Sequence, residues 1–373
     1  MANKTSFFTL TLLSIGIFNI GSTLGQTATP QNNCSFIRGQ ISPGGELNWK
    51  VNVGNIGSND DLLDVIFETG TRGWASSQGA IFRTEDGGKS WSKLKYGAPR
   101  DFFIAGIKAL SPGHLWLVLE KSHYDVEKRE IRLMYSSDAG RSWRLQFHKK
   151  SAFGGTLLAE DAGRIWFALN AYPPLYGLIV LASNDYGKNW QDYSSGLMKQ
   201  VVPSSTGSRS RLTNVFRVGN DIAVINHTGE MFLNSGKSEN WTESISPCLR
   251  GSWAFGDLSG VDWNGRLWLG KGSDGFEGPY GAVAFQESDG EWRFSSIQGF
   301  VLADVLLLRD RAILVAGSLD KKGSILRSKD NGKTWKIVYQ NDRIKYVNKL
   351  TASEKDSIWA AGNNGFLALL NPR

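Results

Sequence analysis

One eight-residue motif recurs four times: TEDGGKSW at 84–91, SSDAGRSW at 136–143, SNDYGKNW at 183–190 and SKDNGKTW at 328–335. The shared frame is a hydroxyl residue, an Asp two places on, a Gly two further, and a Trp closing the motif. Asp and Gly at this spacing suit a tight hairpin. The carboxylate can accept backbone N–H bonds within the turn, the Gly takes a backbone conformation that a Cβ would oppose, and the Trp covers a neighbouring sheet. Asp86, Gly88, Trp91, Asp138, Gly140, Trp143, Asp185, Gly187, Trp190, Asp330, Gly332 and Trp335 are therefore read as structural. Carboxylates on the rims of separate hairpins cannot converge on one substrate, so none is read as catalytic.

A second pattern precedes each box: a short apolar strand, commonly centred on Trp, then a β-rich strand that runs into the box. Its centres are Trp74, Trp116, Trp166, Ala223, Trp268, Leu314 and Trp359, at intervals of 42, 50, 57, 45, 46 and 45 residues. Apolar runs such as LLDVIF, FIAGIKAL and ADVLLL lie upstream of these strands, and strands such as WKIVYQ follow the box Trp. A period of about 40–50 residues made of four short strands is the signature of β-propeller blades. The expected fold is all-β: a single propeller of seven four-stranded blades. The last unit stops after its third strand, and SPGGELNWKVNV at 42–53 is the candidate for its missing outer strand. Pairing the two ends would remove open sheet edges. Whether six or seven blades close turns on that strand and on the degenerate boxes ending at Trp241 and Trp292.

The N-terminus reads as an export signal. Lys4 gives a positive start, 7–20 is mostly apolar, and Gly21, Ser22 and Gly25 follow. Thr9, Thr11, Ser14 and Asn19 break the run, which disfavours a retained membrane anchor. The expected organisation is a signal peptide over 1–25, an N-terminal segment over 26–41 and the propeller over 42–373. The compartment would be secreted or periplasmic, or the thylakoid lumen in a phototroph. Cys34 and Cys248 are the two cysteines of the chain. One disulfide between them is the single intramolecular pairing open to them in an oxidising compartment, with two free thiols as the alternative. The net charge of +7 is spread along the chain without a block of like charges, so nucleic acid is not an expected partner. His114, His123, His148 and His227 lack metal-binding spacing, and no metal or other cofactor is expected.

The boxes and the rhythm of strands around them resemble the Asp-box, or bacterial neuraminidase repeat, superfamily. Within it the chain most resembles photosystem II assembly and stability factor-like propellers, over most of the sequence from Leu47 onward. That resemblance implies an exported, non-catalytic protein-binding role in the assembly of a membrane complex. Sialidases carry the same boxes, but their early Arg-Ile-Pro-type motif has no counterpart here. Propeller glycoside hydrolases with such boxes pair two rings and are about twice as long.

Strand order assigns the loops to faces. Loops from second to third strands, and links between blades, open opposite the box hairpins. The long insertions fall in that class: 120–130, 170–177, 271–281, 318–323 and the polar linker 197–211. Insertions on a rigid scaffold are where binding residues are commonly carried. His123, Tyr124, Arg129, Tyr172, Tyr176, Arg209, Lys271, Phe276, Tyr280 and Lys321 are the candidate partner-binding residues, an aromatic and basic set suited to a protein ligand. The alternatives kept open are a carbohydrate-binding module and a sialidase-like glycoside hydrolase. A monomer is expected.

Overall fold

Apolar runs flanked by turn residues become strands throughout the computed structural model, which describes residues 34–42, 49–110, 112–160, 163–172, 177–198, 212–226, 230–244, 258–261, 267–273, 280–287, 291–352 and 357–372. They lie in the unit Asn33–Arg373. Two strands come first, β1 (Cys34–Ser42) and β2 (Trp49–Asn55). Antiparallel runs of four follow: β3–β6 (Leu62–Phe67, Gly73–Ser77, Ile81–Thr84, Ser92–Leu94), β7–β10 (Phe103–Leu110, His114–Lys121, Glu130–Ser136, Arg144–Lys150) and β11–β14 (Ala152–Ala159, Ile165–Ala171, Gly177–Ser183, Gln191–Asp192). A short helix, α1 (Ser194–Met198), precedes β15–β18 (Leu212–Val218, Asp221–Asn226, Met231–Asn234, Thr242–Glu243). Then come β19–β22 (Leu258–Val261, Leu267–Ser273, Tyr280–Gln286, Trp292–Gln298), β23–β26 (Phe300–Leu307, Ile313–Leu319, Lys322–Ser328, Thr334–Asn341) and β27–β29 (Val347–Ala352, Ile358–Gly362, Phe366–Pro372).

The last three strands are completed by β2, which pairs antiparallel with β29 from Trp49↔Pro372 to Asn55↔Phe366. This is the end-to-end pairing that the sequence suggested. Within each run the order in space follows the order in sequence, and the first strands touch one another from β3 through β19 and from β23 through β27 back to β3, with β23 meeting β20 of the preceding run.

The second strands explain why the sheets stack side by side. β4, β24 and β28 are buried at every residue, and β12 at all but its last. A strand buried on both faces needs a neighbour on each side. Among the described residues the buried apolar side chains form clusters shared by consecutive sheets. Trp74 packs with Ile107 and Leu117, Trp116 with Leu157 and Phe167, and Trp166 with Val215 and Val224. The cluster of Trp359 and Leu367 with Val65 and Phe82 joins the last sheet to the β3–β6 sheet.

The sequence did not foresee β1. The N-terminal segment expected over 26–41 carries a strand from Cys34, and it crosses from one sheet to the next. Cys34–Gly39 pair parallel with Trp292–Ile297 of β22, and Gln40–Ser42 pair parallel with Thr334–Lys336 of β26, joining those two runs into one nine-stranded sheet. Phe36 stacks on Phe294 with ring centroids 4.8 Å apart, and Ile41 packs into the apolar cluster around Trp335. The crossing point is Gly39, where a Cβ would stand 2.6 Å from Trp335 Nε1 and 2.8 Å from the Gly332 carbonyl. The proposed signal peptide and Cys248 lie outside the described residues, as does the side chain of Cys34.

The hairpin at 318–323 corrects a second expectation. It is no insertion: Leu319 pairs with Lys322, and Asp320 and Lys321 form a two-residue turn with φ of 52° and 63°. Both φ values positive is the geometry that matches the twist of paired strands.

Gly39→Ala should lower the melting temperature by the equivalent of about 1–3 kcal/mol, the usual cost of overpacking. Gly79→Ala, where an added Cβ meets nothing within 4 Å, should change it little. Thermal denaturation of both variants checks the role of the strand crossing.

Candidate functional site

Two of the loops singled out from the sequence meet at the edge of the β7–β10 and β11–β14 sheets. The 120–130 loop is organised by a 3-10 turn over Val126–Lys128, with Asp125 Oδ1 accepting from the Glu127 amide at its start. The turn delivers Arg129 to the base of the loop, where its Nε donates to the His123 carbonyl at 2.7 Å and Nη1 donates to the Tyr172 hydroxyl at 2.8 Å. The guanidinium carbon lies 5.2 Å from the Tyr172 ring centroid and 5.8 Å from that of Phe153. These two rings stack at 4.7 Å. Such contacts hold an Arg side chain in one orientation and spare a partner the cost of ordering it. Beyond them the His123 ring lies tilted against Tyr124 with centroids 4.3 Å apart, and Tyr124 is 89% exposed.

Four of the candidate residues, His123, Tyr124, Arg129 and Tyr172, therefore gather in one cluster. Phe153, the aromatic floor, was missed because it lies in β11 and not in a loop. Lys321 is exposed on the tight turn of the β23–β26 run and does not join them. Tyr176, Arg209 and Phe276 lie outside the described residues. Lys271 and Tyr280 stand in β20 and β21 as backbone, their side chains likewise outside the description.

A second feature lies where the first strands meet. Six of them carry a register irregularity, between Leu62 and Asp64, Ile104 and Gly106, Phe153 and Thr156, Leu212 and Asn214, Leu302 and Asp304, and Val347 and Lys349. A bulge re-aims the residue that follows it. Asp64, Gly106, Thr156, Asn214, Asp304 and Lys349 all line one cavity of about 390 Å³, together with Lys108.

The charges in this cavity are unequal in their support. Asp304 Oδ2 accepts the Leu350 amide at 2.8 Å and lies 3.3 Å from Lys349 Nζ. That charge, opposing burial, holds the Lys349 ammonium above its ordinary value. Asp64 is pushed up by burial against the pull of Lys349 and Lys108. Lys108 opens to the water of the cavity but is ringed by protein, and that desolvation lowers it.

The four boxes close the opposite side of the sheets with one repeated network. In each, the first hydroxyl donates to the Asp and accepts the Gly amide, as in Ser136 Oγ to Asp138 Oδ1 at 2.7 Å and Gly140 N to Ser136 Oγ at 2.8 Å. The same Asp accepts the amide and side chain of the residue before the Trp: Ser90, Ser142, Asn189 or Thr334. The box also fastens one sheet to the preceding one. A Cβ on Gly88, whose φ is 81°, would stand 2.2 Å from the Trp359 ring. In the last box Ser295 Oγ of β22 donates to the Gly332 carbonyl at 2.6 Å. The degenerate box ending at Trp241 does the same through its indole, which donates to the Tyr193 carbonyl at 2.9 Å.

No family model and no curated protein matches the chain. Solved structures do. YCF48 bound to D1 peptide superposes with a TM-score of 0.63 at 18% identity, covering 88% of this chain and 98% of that one. The WD40 β-propeller domain of Doa1 gives 0.58 at 12% identity, with 87% and 97% covered. The fold is a β-propeller. A PL25 ulvan lyase bound to a uronate-containing saccharide follows at 0.57 and 12% identity, covering 85% of this chain and 93% of that one. At these identities the likeness is one of fold. The four-stranded runs are thus propeller blades, the cavity is the central channel, and the Arg129 cluster sits on the face away from the box hairpins.

The box carboxylates make stability sensitive to acid. Hydrogen bonds from the Ser90 side chain and amide hold Asp86 down to about 2. The Asn189 amide and Ser183 hydroxyl do the same for Asp185. For Asp138 burial pulls upward, but the Ser142 and Ser136 bonds outweigh it and leave the carboxyl at about 2. A depressed carboxylate stabilises the fold above its unfolded value, 3.8, and loses that contribution as pH falls through the folded one. Denaturant melts should show a plateau above pH ~5 and a steady loss between pH ~4 and ~2. Asp138→Asn should lower the plateau and flatten the slope.

Proposed function

We propose that this chain is an exported, non-catalytic scaffold of the Asp-box type, a seven-bladed propeller whose loop face receives a protein partner. The observation that carries the reading is the Arg129 cluster. A guanidinium held in place by Tyr172, Phe153 and the His123 carbonyl, beside a tyrosine almost wholly in solvent, has the composition of an interface hot spot. Its place on a rim built from two adjacent blades suits an extended segment of another chain lying across them. The likeness to YCF48 bound to D1 peptide supports a peptide segment as the recognised form, and the resemblance of the repeats to assembly-factor propellers supports an assembly or stability role for a membrane complex. In a phototroph that complex would be photosystem II-like.

In the channel Asp304 is committed to Lys349 and the Leu350 amide. The likeness to a polysaccharide lyase keeps a carbohydrate ligand as the second reading.

Crosslinking capture from the native host, with the purified propeller as bait, tests the proposal. One membrane or secreted protein should be recovered by the wild type. Tyr124→Ala combined with Arg129→Ala should weaken its binding by about 2 kcal/mol or more, roughly thirtyfold. Equal recovery by the variant would count against the rim, and recovery of glycans alone would favour the carbohydrate reading.

A further inference from the structure

Two charged side chains in the channel, opposite in sign, have no ion pair in contact among the described residues, although the Val65 amide and, through space, Lys349 both favour the Asp64 carboxylate. Asp64 Oδ1 is buried and accepts no hydrogen bond. Lys108, on the neighbouring blade, feels Asp64 and Asp304 through space but makes no hydrogen bond or ion pair among the described residues. The channel's other acid and base neutralise one another, since Lys349 lies 3.3 Å from Asp304. Lys349 is in contact with Asp304 and reaches Asp64 only through space.

The buried oxygen of the half-buried Asp64 accepts no hydrogen bond, and neither it nor the more open Lys108 has a counter-charge in contact, which is costly for the carboxylate. Its physical signature is the upward push on Asp64 and the downward push on Lys108, both led by burial. A fold could avoid that cost by placing apolar residues after the bulge of β3 and at the Lys108 position within β7. Here both charges face the same space, and that space is about 390 Å³, towards the small end of small-molecule sites. Thr156 and Asn214 add a hydroxyl and an amide to its lining, and Val118 and Val305 add apolar wall.

We propose that the channel binds a small zwitterion, a free α-amino acid, with its carboxylate on Lys108 and its ammonium on Asp64. A ligand carrying one charge of each sign satisfies both groups at once and brings no net charge into the channel. A simple anion would leave Asp64 unpaired, and a simple cation would leave Lys108 so. The site is distinct from the rim cluster on the loop face, so either could fail without the other.

Calorimetric titration of the full chain with the common L-amino acids, one at a time, tests this, with acetate and ethylamine as singly charged probes. At least one amino acid should bind saturably and more tightly than either single-charge probe. Lys108→Met and Asp64→Asn should each weaken it by about tenfold or more, the scale of one charge-assisted contact, while Tyr124→Ala leaves it unchanged. Each substitution leaves the Asp304–Lys349 pair in place, so the variants should melt near the wild type; Lys108→Gln replaces Lys108→Met, and Asp64→Ser replaces Asp64→Asn, where the first does not fold. Absence of saturable binding by every amino acid, binding that persists in both channel variants, or acetate bound as tightly as the amino acid would overturn the proposal.

Discussion

Each blade is apolar on both faces, and neither face can be left in water. That requirement governs the rest of the molecule. A two-layer sandwich would cover only one face of each sheet, whereas a ring gives every sheet two neighbours and needs no separate cap. The cluster joining Trp359 and Leu367 to Val65 and Phe82 is therefore as necessary as any of those between blades adjacent in sequence. The antiparallel bond between β2 and β29 is what brings its two halves together.

The two sides of the ring solve different problems. On one, the boxes spend their polar groups on themselves and on the blade before: carboxylate to hydroxyl and amide, carbonyl to the preceding blade's serine, indole to carbonyl. Little is left over to recognise anything else. On the other, loops from second to third strands leave arginine and aromatic side chains held in position but still reachable. A rigid base and a varied rim are complementary consequences of the same strand order.

Much of this was legible because a propeller repeats. The box and the apolar second strand each recur, so a weak local signal became strong by multiplication, and the fold class, strand order and loop face could be read from Trp74, Asp86 and their equivalents. The cluster at Arg129 was partly legible, since His123, Tyr124 and Tyr172 stand in long loops. Phe153 was not, because nothing distinguishes a strand aromatic that floors a surface cluster from one that fills a core. The channel was hidden for another reason. Bulges interrupt the alternation of the inner strands, so the period of two that tells inside from outside fails just ahead of Asp64, Asn214 and Lys349. A charge within an otherwise apolar innermost strand, as in LLDVIF or FIAGIKAL, was the available clue. β1 left even less trace, because it belongs to no repeat.

That strand gives the molecule a mechanical polarity. β1 runs parallel to its partners, six residues on β22 and three on β26. A pull along the chain at Cys34 acts along those ladders and loads their bonds together, and it draws on two blades instead of one. A pull at the other terminus acts on β29, which lies between β2 and β28 within a single blade. Tension on a tethered propeller would thus be shared between blades at one end and borne within one at the other.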